Sequence, residues 1–420
     1  MWKIVIKSPF FWISIALVAA FLAKTSVFYY YGEQLHAASS KPDSRFDSAI
    51  ATHKKPLKKA GFDFRQHWRQ PIPLQGDAPE DFSETEKSLF PEDCGECHED
   101  QFKDWSQSRH SKSVGPGLLG QLNPPWLDRE SIEMCLDCHA PLGEQRLFAK
   151  NKSGDYLLNS HKTKGLFQKG LVCAGCHVRK HTRYGPEPKE PQENDLPHNG
   201  FVEAQNFGAS EFCKPCHQFE KYHRRVAGKL GQDTYEQWKA SGYSAKGVQC
   251  ADCHMPGRRH LWKGIHDPEM VKSGVEIKAV KHGSSVNVSI TSKKIGHLFP
   301  TYVTPQVVVR ATHILDDHSS KVVGEEWIGW YVELNLSAER FDTRVKPGKT
   351  TNFKFEFPDA TGKYKIEVKV FPDEFYNRFF KSLRKNLPDG VDAKLLKEAL
   401  DETEKSSFII FEKSWSASGE

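Results

Sequence analysis

The sequence predicts an α+β protein: a mainly helical, cysteine-rich region followed by a β-sandwich with a helical excursion near the C-terminus, behind one N-terminal membrane helix. Three observations support this prediction. An uncharged apolar stretch lies near Met1, the ten cysteines recur in five pairs, and apolar and polar residues alternate after Val275. The predicted boundaries are a membrane anchor or signal peptide over 1–31, a linker over 32–90, the cysteine-rich domain over 91–273 and the β-sandwich domain over 274–420.

The N-terminal segment predicts export. Phe10–Ala23 carries no charge, and Thr25–Tyr31 continues apolar and aromatic after Lys24. Fourteen apolar residues suit a signal peptide, but Pro9–Tyr31 could cross the bilayer if Lys24 snorkels. We favour a retained anchor in the inner membrane with the rest of the chain in the periplasm. Cleavage of the segment would leave a periplasmic protein instead.

Composition narrows the classes of function. The chain has 420 residues, 27% charged and 12% aromatic, which excludes wholesale disorder. The 59 basic and 54 acidic residues give a formal charge of +5, too small an imbalance to indicate nucleic-acid binding. Because only one stretch is long and apolar, a polytopic membrane protein is also excluded.

All ten cysteines lie in C-x-x-C-H motifs. This is the attachment sequence of c-type haem: the two thiols form thioethers with the porphyrin, and the following imidazole is the proximal iron ligand. The sequence therefore predicts five covalent haem c groups. The motifs, numbered 1 to 5 along the chain, are Cys94, Cys97 and His98; Cys135, Cys138 and His139; Cys173, Cys176 and His177; Cys213, Cys216 and His217; and Cys250, Cys253 and His254.

Other uses of the cysteines are weaker explanations. An even count would suit five disulfides in an exported protein, but disulfides need no histidine after each pair. Zinc sites would combine two such pairs and need no histidine at that position either. A redox-active dithiol would occur once, in an α/β pattern.

Histidine is the predicted second axial ligand. Met134 and Met255 adjoin the attachment motifs, so methionine is nearly excluded, and bis-histidine ligation favours low potentials. A helix predicted over 99–110 puts His110 about 18 Å from His98, so His110 can bind only a neighbouring iron. The predicted ligands are His110, His198, His260, His266 and His297.

The C-terminal third alternates apolar and polar residues with a period of two, which predicts strands. A helical excursion is predicted over Glu374–Leu387 and Ala393–Leu400, before a last strand at Phe408–Phe411. No catalytic residues are predicted in this region, which we expect to brace the cysteine-rich domain. The six preceding predicted strands are Val275–Val280, Ser285–Ile290, Gln306–Ile314, Val323–Leu334, Thr351–Phe357 and Tyr364–Phe371.

Several motifs resemble one superfamily of multihaem cytochromes c, which includes the tetrahaem electron acceptor of hydroxylamine oxidoreductase and the pentahaem nitrite reductases. They are Cys94-x-x-Cys97-His98 followed by Trp105-x-x-Ser108-x-His110, then Cys253-His254-Met255-Pro256, and Gly296-His297-x-Phe299-Pro300-Thr301. The resemblance covers roughly Pro91–Thr301 and implies the superfamily fold and electron transfer. It implies no particular catalysis, because the nitrite reductases typically have one C-x-x-C-K motif and all five motifs here end in histidine.

The sequence is compatible with three functions. We predict an electron carrier that passes electrons between redox proteins, or from a membrane quinol-linked complex, through bis-histidine haems. Alternatively, one haem lacks a second protein ligand and transforms a small nitrogen or sulfur compound, with an anion held by arginines near the motifs. The third possibility is an assembly subunit whose sandwich docks a partner complex. The arginines are Arg109, Arg179, Arg183, Arg258 and Arg259.

Overall fold

The structure is a computed structural model, and it describes residues 67–151, 153–187, 197–200, 202–220, 223–358 and 361–418. Residues 67–219 and 224–418 belong to one structural unit, to which the following description applies. The predicted membrane segment over 1–31 lies outside the described residues. Within them, no helix is both long and apolar enough to cross a membrane.

The cysteine-rich region consists of short helices and loops. Each attachment motif overlaps a helix of four to eleven residues. The helices of this region are α1 (Glu84–Lys87), α2 (Pro91–Gly95), α3 (Glu99–Gln107), α4 (Pro116–Leu122), α5 (Arg129–His139), α6 (Cys173–His177), α7 (Lys214–His217), α8 (Thr234–Lys239), α9 (Gly242–Ala245), α10 (Cys250–His254) and α11 (Pro268–Gly274).

Short strands connect these helices. They form two antiparallel hairpins, β1–β2 and β6–β7, and a three-stranded sheet in the order β3-β4-β5. Their bounds are β1 (Phe148–Lys150), β2 (Tyr156–Leu158), β3 (Val178–Arg179), β4 (Thr182–Gly185), β5 (Val202–Glu203), β6 (Arg225–Val226) and β7 (Lys229–Leu230).

The segment before the first motif is packed, not extended. Trp68, Ile72 and Phe82 are buried. The backbone N–H of Ile72 donates to the carbonyl of Pro141 at 2.8 Å, and its carbonyl accepts from Gly143 at 2.8 Å. The prediction of a linker over 32–90 is therefore wrong for residues 67–90. Three buried apolar side chains lie there among scattered polar residues.

Two antiparallel sheets follow the cysteine-rich region. One has five strands in the order β12-β11-β10-β14-β15, and the other three in the order β13-β9-β8. The strands are β8 (Val275–His282), β9 (Ser285–Ser292), β10 (Gln306–Ile314), β11 (Ser320–Val332), β12 (Glu339–Asp342), β13 (Thr350–Glu356), β14 (Lys363–Phe371) and β15 (Phe408–Ser416).

One hydrophobic core joins the two sheets. Val286, Val288 and Ile290 on β9 pack in the same buried cluster as Val307 on β10 and Val368 on β14. Along β9 and β14 the buried residues alternate with more exposed ones, as the period of two predicts, whereas β10 is buried without interruption over residues 306–309. Sheets that pack face to face share one core in this way, and the β-sandwich stays a prediction for this region. All seven predicted strands are present, and β12 was not predicted.

The helical excursion is also present, as α12 (Glu374–Lys385) and α13 (Ala393–Lys405). It packs against α4 of the cysteine-rich region. A Cβ atom on Gly120 of α4 would lie 2.6 Å from the Cβ of Ala399, so only glycine permits this approach. The backbone N–H of Gly117 also donates to the carboxylate of Glu402 at 3.0 Å. These contacts bring α12 and α13 beside motif 2, and the observed fold is α+β.

A charge network links hairpin β6–β7 to the five-stranded sheet. The ammonium of Lys229 lies 2.6 Å from carboxylate oxygens of both Glu339 and Asp342. Arg344 makes a bidentate pair with Asp342 at 2.8 and 2.7 Å and donates to the carbonyl of Thr301 at 3.0 Å. The loop that carries His297 is thereby tied to the sheet.

Candidate haem-binding sites

Both cysteines lie within one helix in motifs 2, 3 and 5, and one cysteine lies within or next to a helix end in motifs 1 and 4. Cysteines three residues apart lie on the same helix face, with the following histidine close behind them. The ten cysteines form no disulfide. Throughout the described ranges, no three His, Cys, Asp or Glu side chains cluster in a way that could hold a metal ion.

Four proximal histidines face a second imidazole. The ring centroids are 6.5 Å apart for His98 and His198, 6.2 Å for His217 and His110, 6.1 Å for His177 and His260, and 6.3 Å for His254 and His297. The second histidine always comes from another part of the chain. Each of these four motifs thus has a histidine from elsewhere in the fold opposite its own.

These separations fit a metal ion between the rings. An imidazole nitrogen binds a transition metal at about 2.0–2.1 Å and lies about 1.1 Å from its ring centre, so trans imidazoles have centroids about 6.2–6.4 Å apart. The four observed values lie within about 0.1 Å of that window. The donor sets at motifs 1, 3, 4 and 5 therefore fit bis-histidine haem iron.

The position of the proton on each imidazole ring also suits metal binding. The Nδ1 atoms of His139, His177 and His254 lie 2.7, 2.7 and 2.6 Å from backbone carbonyls, and those of His198 and His297 lie 2.8 Å from theirs. A carbonyl can only accept, so Nδ1 carries the proton and Nε2 keeps the lone pair that binds a metal.

Burial keeps several of these rings neutral. It lowers the pKa of His110 to about 3 and that of His177, His217 and His297 to about 4. Neighbouring imidazoles lower these pKa values further. A neutral imidazole is the form that binds a metal, so these four side chains are ready to coordinate at neutral pH.

Motif 2 differs from the other four. Burial lowers the pKa of His139, and its Nδ1 bonds to the Ser113 carbonyl, but in the described part of the chain no second imidazole faces its ring. The described residues therefore supply four opposed histidine pairs and leave one proximal histidine unopposed.

Comparisons with known proteins identify the class of protein to which the chain is similar. The model of the cytochrome c552 family matches residues 84–272, the part of the chain that contains all five motifs. The chain also shares its fold with the crystal structure of a penta-heme cytochrome c552 from Thermochromatium tepidum, with a TM-score of 0.53 and 18% identity over 79% of this chain and 99% of the other.

The chain is a multihaem cytochrome c. Its cofactors are five covalently bound haem c groups. A cytochrome c-552 from Aliarcobacter butzleri (strain RM4018) is 28% identical over 134 residues, which is 29% of this chain and 26% of that protein. This cytochrome thus matches about a quarter of that relative's length.

Four of the five predicted second ligands, His110, His198, His260 and His297, lie opposite a proximal histidine. His266 does not. Its Nε2 lies 3.0 Å from both carboxylate oxygens of Asp373, so the nitrogen that would bind iron is occupied. The reason is local: Asp267 caps helix α11, so the chain enters that helix directly after His266, whose ring faces Asp373.

Three polar residues that hold the loops of the second histidines were not predicted from the sequence. Glu86 accepts the backbone N–H of His198 at 2.5 Å. Asp104 accepts a hydrogen bond from the backbone N–H of His260 at 3.1 Å. The same carboxylate forms an ion pair with Arg259. Gln237 accepts a hydrogen bond at 3.1 Å from the backbone N–H of Leu298, which follows His297. The Ser83-x-x-Glu86 capping box could be read as a helix start, but no local signal indicates the contact with His198.

Side-chain contacts between motifs order the sites in space. The side chains of Cys94 and Cys173 lie against each other, which joins sites 1 and 3. Trp262 lies 5.2 Å from the ring of His260 and 4.6 Å from that of His110, which joins sites 3 and 4. The side chains of Cys213 and Cys250 also lie against each other, which joins sites 4 and 5.

Site 2 adjoins site 4. Burial lowers the pKa of both His110 and His217, and the charge of His139 lowers each pKa further, so His139 lies close to both imidazoles of site 4. The order of the sites is therefore 1-3-4-5, with site 2 branching from site 4.

Ionisable groups of the C-terminal region surround motif 2. Burial raises the pKa of Tyr376, and the neighbouring charges of Cys135, Tyr302 and Asp373 raise it further. Burial and Asp373 raise the pKa of Tyr302 to about 12, against the opposing charge of Arg109. Both phenols are therefore protonated donors at neutral pH. Burial alone would raise the pKa of Asp373, but hydrogen bonds from His266 and Ser406 and the charge of Arg109 lower it.

Proposed function

We propose that this cytochrome passes electrons between redox partners through four bis-histidine sites and delivers them, at site 2, to a small molecule. The observation that carries the proposal is the contrast between motif 2 and the other four. His98, His177, His217 and His254 each have an imidazole 6.1–6.5 Å away, and His139 has none among the described residues. Haem bound at motif 2 would supply iron with a coordination position for a ligand.

The surroundings of site 2 favour a small oxyanion of nitrogen or sulfur. Arg109 supplies a positive charge, held 3.5 Å from Glu402. The protonated phenols of Tyr302 and Tyr376 are hydrogen-bond donors for anionic oxygens, and the His266–Asp373 pair can hold a proton nearby. A site that only relays electrons would need none of these groups.

Export and membrane tethering are part of the proposal. The basic N-terminus, the apolar segment after it and the oxidising compartment in which c-type haem is attached support a periplasmic cytochrome anchored in the inner membrane. Membrane fractionation of the full chain tests this: extraction from membranes by detergent only is the expected result, and release by high salt or osmotic shock alone would contradict the anchor.

Turnover tests the proposal at site 2. Under a low-potential reductant, nitrite, hydroxylamine and sulfite are compared as substrates, and at least one should be consumed much faster than by free haem. Arg109→Gln should raise KM about tenfold by removing one charge contact, while Arg384→Gln, an exposed arginine on α12, should leave KM unchanged. Consumption no faster than by free haem for all three would remove the substrate role and leave an electron carrier.

A further inference from the structure

The two ends of the series of sites lie at the surface. Sites 1 and 5 are terminal in the order 1-3-4-5, and of the ten cysteines only Cys97 and Cys253 are exposed. Cys97 belongs to site 1 and Cys253 to site 5. Two observations, the order of the side-chain contacts between sites and the exposure of the cysteines, therefore agree on where electrons can enter and leave.

The two ends differ in surface charge. Residues 84–100, around motif 1, contain seven acidic side chains and one lysine. Residues 239–263, around motif 5, contain five basic side chains and one aspartate. The formal charge of the whole chain, only +5, does not reveal this difference between the two ends. A redox protein that approaches either end therefore meets an electrostatic potential of opposite sign.

The basic residues at motif 5 are exposed, and several have no carboxylate partner. Lys246, Arg258 and Lys294 are exposed and form no ion pair with any described residue. Lys293 is exposed and lies 3.4 Å from Glu276. The Tyr243 hydroxyl donates to the carbonyl of Lys293 at 3.1 Å, which places Lys293 and Lys294 beside the loop that carries Lys246.

We propose that this basic surface, formed by Lys246, Arg258, Lys293 and Lys294 around Cys253, docks an acidic redox protein that exchanges electrons at site 5. One electron moves at each encounter: the partner is oxidised as site 5 is reduced, or the reverse. The inference rests on the proposed electron transfer and adds the charge of the partner and its place of contact. A protein is favoured over an anionic membrane because the surface surrounds an exposed attachment cysteine, where a redox group must come close.

Two anionic probes test the surface in the holoprotein. Hexacyanoferrate(III) takes one electron from the reduced protein and becomes hexacyanoferrate(II), so stopped-flow kinetics report the approach of an anion. Hexacyanochromate(III) is paramagnetic and inert to this exchange, so NMR line broadening reports where an anion binds. The variant is K246E/K293E/K294E. The control, K381E/K394E/K397E, changes the net charge equally at exposed lysines of α12 and α13.

The expected result is that K246E/K293E/K294E slows oxidation by hexacyanoferrate(III) about tenfold at low ionic strength, with the difference vanishing at high salt. Oxidation by the cationic tris(phenanthroline)cobalt(III) ion should not slow. Hexacyanochromate(III) should broaden the backbone resonances at positions 246 and 294 in the wild type and not in the variant. The control should change each rate by less than twofold.

Equal effects of the two triple variants would overturn the proposal, because only net charge would then matter. A second outcome would also overturn it: K246E/K293E/K294E loses binding to phosphatidylserine vesicles while its rate of oxidation by hexacyanoferrate(III) stays unchanged. That result would assign the surface to a membrane. Neither triple variant replaces a residue placed at a haem site, so haem spin states, which test the proposed function, should stay unchanged. The two proposals can therefore fail separately.

Discussion

Ser113 connects the proximal histidine of site 2 to a ligand candidate of site 4. Its carbonyl accepts from Nδ1 of His139 at 2.7 Å, and its hydroxyl lies 2.8 Å from the carbonyls of both His110 and His139. The same hydroxyl accepts the backbone N–H of Leu171 at 2.8 Å. One serine therefore fixes the ring orientation at the unopposed site and joins it to the neighbouring site.

Gly170 permits this arrangement, and Gly170→Ala should disrupt it. A Cβ there would lie 2.6 Å from the Ser113 hydroxyl and 2.8 Å from the His110 carbonyl, at a φ of +68°. Clash and backbone strain together should lower the free energy of unfolding by about 3 kcal/mol or more. Denaturant unfolding of the holoprotein measures the loss.

Gly154→Ala is the matched control. It has a φ of +91° and no atom within 4 Å of the added Cβ, so strain alone should cost about 1 kcal/mol. Equal losses in the two variants would show that the contact with Ser113 is unimportant.

His260 and His266 should behave differently, although the sequence predicted both as ligands. His260→Ala removes the ring 6.1 Å from that of His177, and one low-spin ferric haem should become high-spin. His266→Ala removes the partner of Asp373 and should leave every low-spin signal in place. Electron paramagnetic resonance of the two ferric variants gives the comparison; loss of a low-spin signal in His266→Ala would reinstate His266 as a ligand.

Glu86 should position His198, because its carboxylate holds the backbone N–H of that residue at 2.5 Å. His198 has a φ of +47°, a conformation that needs such support in a residue other than glycine. Glu86→Ala should therefore convert part of the site 1 haem to the high-spin form, seen in the ferric absorption spectrum. Glu84→Ala, in the same short helix with a 94% exposed side chain, should have no effect; a similar spectral change in both would point to the helix and not to the contact.

Asp342 should make stability depend on acid pH. Burial would raise its pKa, but hydrogen bonds from Arg344 and Lys229 lower the pKa to about 2. The unfolded chain has the higher pKa, near 3.9, so the carboxylate stabilises the fold above pH 4, and this contribution disappears as the pH falls toward 2. Asp342→Asn should cost about 1–2 kcal/mol at pH 7 and much less at pH 2.

Urea unfolding at pH 7, 4 and 2 tests this dependence. Asp389→Asn, at an exposed residue with no ion pair among the described residues, should change stability little at any of these pH values. A loss in Asp342→Asn that is the same at pH 7 and pH 2 would assign its cause to packing instead of charge.

Local patterns predicted much of the fold. Alternation placed strands such as Tyr364–Phe371 correctly, because it records directly which face of a strand is buried. β12 was missed because Glu339–Asp342 is short and lacks alternation. The packed segment over 67–90 was missed because Trp68 and Ile72 are held by residues far along the chain, such as Pro141.

The candidate sites were predictable only in part. Adjacent residues form each attachment motif, so the sequence shows it directly. The opposed histidines come from distant loops, and their partners depend on how those loops fold. His260 and His266 lie six residues apart in one loop, yet the cap at Asp267 directs only His266 toward Asp373. That no described histidine faces His139 could not be foreseen from the sequence, where any surplus histidine could reach it.

The most direct test of the central claim is a count of spin states in the ferric holoprotein by electron paramagnetic resonance, with carbon monoxide binding to the reduced form. We predict four low-spin bis-histidine haems and one high-spin haem, and one carbon monoxide bound per chain. Replacing His36 and His53, which lie outside the described residues, should leave these counts unchanged. Five low-spin haems and no carbon monoxide binding would contradict an unopposed His139 and with it the proposed reaction at site 2.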